Sequence, residues 1–148
     1  LTFTTANWNV AQTVTVTVRI TDEHGQSSTD QATIDVIWDF GGFQPPLGAG
    51  VNTAKAGSSV PVKFSLAGDQ GMDVLDGTPI VQRWNCTTLA PIGAPFAAAS
   101  SEPFAYDPLT DTYKFVWKTQ KGWLGTCATL TVALDDGQAH EVDIRFTK

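Results

Sequence analysis

The residues able to do chemistry in this chain are few. Nucleophilic catalysis needs a base beside a Ser or Cys, and the only histidines are His24 and His140. Both fall in or beside turn-like stretches, "DEHGQ" and "GQAHE", where a solvated imidazole is ordinary. No Gly-x-Ser-x-Gly elbow is present, so a triad would have to be assembled across loops. The expectation is no catalytic residue and no enzyme. The cysteines, Cys86 and Cys127, are an even pair in an acidic, Thr- and Val-rich chain. Such a pair suits a disulfide formed in an oxidising space, although two buried thiols would leave the same pattern. A disulfide would also remove any thiolate nucleophile. Two His and two Cys at these spacings match no zinc pattern.

Carboxylates cluster in two places. "YDPLTDT" holds Asp107 and Asp111, weak candidates for calcium, and "LDDGQ" holds Asp135 and Asp136. A calcium loop gathers five or more oxygens, and neither stretch has EF-hand spacing. Turn chemistry accounts for both: Asp accepts from backbone N–H groups two residues on, and Pro108 presets the next φ. No cofactor is expected. Trp123, in "QKGWLGT", is the candidate for ligand contact, because a Trp in a turn can offer its face to a sugar or a partner. A planar platform would need further aromatics in register with it.

The elements that must carry these residues are strands. Of the 148 residues, 42% are apolar and only 16% charged, and Thr, Val, Gly and Ala dominate, which favours β-structure. The net charge of −6 and an isoelectric point near 4.6 repel phosphate backbones, so nucleic acid is not an expected partner. No apolar run approaches the roughly 20 residues a membrane helix needs, so membrane insertion is not expected. A chain with neither an initial Met nor a signal peptide looks like a piece of something longer.

Along the chain, Val14, Val16, Val18 and Ile20 alternate with Thr13, Thr15, Thr17 and Arg19, and after a turn Ala32, Ile34 and Val36 resume the pattern. "LTFTTANWN" upstream adds one short strand. Residues 1–38 therefore hold two or three strands, too few to close a sandwich. "DFGGFQPPLGAG", residues 39–50, is rich in Gly and Pro and is expected to be a linker. Beyond it, seven alternating runs are expected near Thr53–Lys55, Val60–Leu66, Pro79–Asn85, Phe104–Ala105, Thr112–Lys118, Ala128–Leu134 and Glu141–Phe146. Their spacing predicts an all-β, immunoglobulin-like sandwich over residues 51–148. "APIGAPFAAASSEP" is expected to be a surface loop.

Within "SSVPVKFSL", Val60, Val62, Phe64 and Leu66 share one face and Pro61, Lys63 and Ser65 the other. Pro61 lacks an N–H and Lys63 is charged, so this strand is expected near a sheet edge. The outward direction of Lys63 argues against an isopeptide bond with Asn85. Tyr113, Phe115 and Trp117 are core by period, and Trp84 is expected to pack beside Cys86. Cys127 has the opposite parity to Ala128, Leu130 and Val132, so a bulge would be needed to turn it inward.

"NTAKAGSSVPVKFSLAGDQGMDV", Cys86 and "YDPLTDTYKFVWKTQKGWLGTCATLTVALDDGQAHEVDIRF" together resemble the PxKF domain, over about residues 43–147. Its signature stands here as Pro61, Val62, Lys63 and Phe64. Residues 1–38 are similar, less specifically, to the end of a bacterial Ig-like or PKD-like repeat. The resemblance implies a non-catalytic structural or adhesive β-domain of a secreted or surface-anchored bacterial protein: a stalk, spacer or assembly module. Its partners would be neighbouring domains or identical subunits, with strand complementation into a filament as one form. The alternative is an accessory domain of a secreted hydrolase that binds cell-surface glycan or cell wall.

Overall fold

The computed structural model describes residues 12–148; the short strand expected in "LTFTTANWN" lies outside them. The fold is all-β, with a separate two-stranded ribbon and two further sheets in an immunoglobulin-like sandwich. The ribbon pairs β1 (Gln12–Thr21) with β2 (Ser27–Val36), Val16 opposite Ala32 and Val18 opposite Asp30. Asp22 makes its turn, its carboxylate accepting from the backbone N–H of His24 and of Gln26.

The four-stranded sheet has the order β3 (Phe43–Gln44), β5 (Ser59–Phe64), β9 (Thr112–Lys118), β8 (Ala105–Asp107). The five-stranded sheet runs β4 (Val51–Lys55), β11 (Ala139–Thr147), β10 (Cys127–Ala133), β6 (Ile80–Trp84), β7 (Phe96–Ala97). β4 joins β11 in parallel and the other neighbours are antiparallel. All seven strands expected beyond residue 50 are present. β3 and β7 are additional, each two residues long and too short to show alternation.

Period two sets the core. Val60, Val62 and Phe64 of β5 and Tyr113, Phe115 and Trp117 of β9 are buried against Ala128, Leu130 and Val132 of β10 and Val142, Ile144 and Phe146 of β11. Across the two sheets the rings of Trp117 and Phe146 meet edge-on, centroids 5.8 Å apart.

The segment expected to be a linker belongs to this sandwich. Phe43 and Gln44 pair with Phe64 and Lys63, Leu47 is in the core, and Phe40 packs on Phe64 at 5.6 Å. The backbone N–H of Trp38 donates to the Asp136 carboxylate at 2.8 Å. Gly and Pro here shape a close return along the sheets rather than a spacer. The apolar side chains between them supply the burial that holds it.

Candidate functional site

Cys86 and Cys127 form a disulfide across 41 residues. No bulge is needed. Cys127 lies opposite Trp84, so the two point to the same face, and Cys86, two residues on, shares that parity. The bridge is therefore a diagonal staple on the outer face of the five-stranded sheet. Trp84 is correspondingly on that outer face, half-buried, with its indole N–H donated to Thr129 Oγ1 at 3.1 Å. It is not the core tryptophan of an immunoglobulin-like fold. Trp117 and Trp123 fill the core instead.

Trp123 corrects the expectation of a ligand contact. It ends a 3-10 helix, Lys121–Trp123, and is only 4% exposed. Its ring lies 5.4 Å from Phe146 and 5.8 Å from Trp117, with the Arg83 guanidinium 5.5 Å from its centroid. A hydrophobic seam draws the turn inward, so no face is left for a sugar.

Asp107 and Asp111, the calcium candidates, are occupied in holding turns. Asp107 accepts from the Leu109 N–H and the Thr110 hydroxyl, which lowers its pKa, the hydroxyl contributing most. Asp111 accepts from Ser65 Oγ at 2.6 Å, Tyr106 OH at 2.9 Å and Gly68 N–H at 3.1 Å. These bonds, that of Ser65 first, hold its carboxyl below the usual range. Tyr106 is pushed up to about 12, by desolvation first and then by Asp111. Tyr113 OH completes the same corner, accepting from Gln70 N–H and donating to Gly71 carbonyl oxygen. The "AGDQG" turn is thus tied to the end of β9 by Asp111 and Tyr113. Among the described residues, no group of three or more His, Cys, Asp or Glu side chains is gathered for a metal ion.

The histidines lie apart. His24 is exposed at the ribbon tip. His140 stacks on Phe40, centroids 3.6 Å apart, and desolvation lowers its pKa against a smaller opposing effect of Asp136. It lines a concavity of about 520 Å³ with Phe40, Phe43, Gly50 and Val51.

Among the described residues, two surfaces are open. The first is the ribbon. It forms a sheet of its own, and its apolar face is in water, with Ile20 70% exposed and Val18 and Ile34 each 53%. The second is the outer face of the four-stranded sheet, where Lys63 lies. The strand lies next to the sheet edge, as expected, but Lys63 does not face an open edge: the two-residue β3 pairs with β5 at that point, Gln44 on one side of Lys63 and Lys114 on the other. Pro61 lies outside the reach of β3, where the missing N–H deprives no neighbour. Asn85 belongs to the other sheet's β6 end and caps the N–H groups of Thr87 and Thr88, which leaves Lys63 no isopeptide partner there.

Sequence reasoning missed Phe40, Phe43 and Leu47, whose apolar side chains were masked by the surrounding Gly and Pro. It also missed Lys114 as the neighbour of Lys63, since cross-strand register is not written in either strand alone. No family model matches the chain, and no curated protein matches it.

Proposed function

We propose that this chain is a non-catalytic stalk, spacer or assembly module of a secreted or surface-anchored bacterial protein. In this reading a finished sandwich carries an unfinished repeat. The ribbon is the observation that carries it. Two strands with an exposed Val/Ile face are marginal in water, and an apolar face of that kind marks an interaction surface. The occupant that fits best is the remainder of an Ig-like repeat in the same polypeptide, because β1 and β2 already alternate as sandwich strands do. The disulfide supports an oxidising compartment, and among the described residues no helix is long and apolar enough to cross a membrane. The shifted carboxylates serve turns, which supports a structural role. The PxKF-like wording around Pro61–Phe64 agrees with this reading.

The competing form is a filament subunit, in which strands from a neighbouring copy cover the ribbon by β-strand addition. Light scattering and hydrogen exchange on the 148-residue chain separate the two. A monomer whose ribbon amides exchange freely, and become protected when about 100 upstream residues are added, is the expected result. Concentration-dependent oligomers that protect those amides would overturn it in favour of the filament. The accessory glycan- or wall-binding reading loses Trp123 as its contact residue.

A further inference from the structure

The row Gln44, Lys63, Lys114, Ala105 runs straight across the outer face of the four-stranded sheet. Two lysines stand directly opposite one another in it, an arrangement that is destabilising between neighbouring strands. In a chain of net charge −6, placing like charges side by side is not explained by solubility. Lys114 is paired with Glu102 at 3.1 Å. Lys63 is half-buried and, among the described residues, has no hydrogen-bond or ion-pair partner. Edge protection does not explain it either, because Gln44 flanks it.

The row floors a concavity of about 560 Å³, walled by Pro45, Tyr106, Asp107 and Thr110. Thr112 Oγ1 lies 3.1 Å from the Gln44 side-chain amide and 3.0 Å from the Thr110 carbonyl oxygen, which shares its single proton, and it holds that amide at the groove. Three kinds of group thus line it: ammonium donors, a side-chain amide, and hydroxyl and carboxylate oxygens at the rim. Pro45 and Ala105 add flat apolar surface.

We infer that this groove binds an acidic sugar, a uronic-acid residue of a polysaccharide, with its carboxylate between Lys63 and Lys114. A lone carboxylate would need only the cations. Asp107 and Thr110, although engaged with Leu109 N–H and with one another, keep further oxygen lone pairs at the rim, and these, together with the Gln44 amide, suit the hydroxyls that a sugar acid carries beside its carboxylate. Recognition of this kind is independent of how the ribbon is completed.

The test is an amide-shift NMR titration of the whole chain with trigalacturonate. Shifts centred on Gln44, Lys63, Thr112 and Lys114 are expected, together with binding weakened at least ~10-fold by Lys63→Gln and by Lys114→Gln. One lost charge-assisted contact corresponds to about that factor. Both variants point outward and should keep the parent melting temperature, which checks that they fold. Equal binding of the methyl-esterified trimer would overturn the role of the carboxylate. Equal binding of a hexaglutamate peptide would overturn the assignment to a sugar, and the absence of shifts in the groove would overturn the site.

Discussion

At the scale of the residue, adjacent positions in β5 have opposite fates. Phe64 is buried among Phe40, Phe104 and Tyr113, with centroids between 5.6 and 6.4 Å away. Phe64→Ala should therefore cost about 3–5 kcal/mol. Lys63→Ala, one residue earlier, should stay within about 0.5 kcal/mol, since it relieves the opposition to Lys114 as it exposes little. Denaturant melts of the two variants check this, and similar losses would contradict the facing. Asp111 and Tyr106 give a second residue-scale prediction. The tyrosine pKa is raised from 10.0 to about 12, so the folded state keeps a proton that the unfolded chain gives up. The associated stability is present below pH 10 and is lost as the pH rises toward 12. Asp111→Asn, which retains a residue tolerant of the left-handed φ of 48° found there, should move the phenol's titration back toward 10. Ultraviolet absorbance of the phenolate measures it. An unchanged titration would mean that burial alone raises the pKa.

At the scale of the element, the disulfide joins the end of β6 to the start of β10, strands already adjacent in register. Its main effect is on the unfolded chain, where closing a loop of 41 residues is worth about 4 kcal/mol in the chain-entropy model. The double variant Cys86→Ser, Cys127→Ser should fold to the same sandwich and lose about 2–4 kcal/mol. Mass measurement after alkylation without reductant should find no free thiol in the parent. The turn between β4 and β5 shows how elements constrain one another. Gly57 has a φ of +81°, and a Cβ there would meet Lys121 Cγ at 2.5 Å. That glycine lets the turn lie against the short helix that delivers Trp123 to the core.

At the scale of the whole molecule, two regions of unlike completeness share one chain. The sandwich satisfies itself: its apolar faces are buried on both sheets, its turns are held by Asp111, Asp107 and Asn52, and even the Gly/Pro segment 39–50 is packed onto it. The ribbon does not, since its hydrogen bonds are made and its apolar face is left in water. That contrast is why exchange rates in the ribbon, rather than the melting of the sandwich, are the measurement that tests the proposed completion of the repeat.

Alternation alone determined seven of the strands after residue 50 and the inward faces of β5 and β9, because a period of two records which side of a strand is dry. The pairing of Cys86 with Cys127 was also legible, as the only pair available. What alternation cannot record is which strands become neighbours. Register set Cys127 beside Trp84, and so carried the disulfide and that tryptophan to the outer face. Register also set Lys63 against Lys114 and made the groove. Trp123 and Leu47 were decided by tertiary packing, since neither lies in a periodic stretch and each is buried only because a loop folds back over the core. Local chemistry wrote the strands. Contacts distant in sequence wrote the surfaces on which the proposed binding depends.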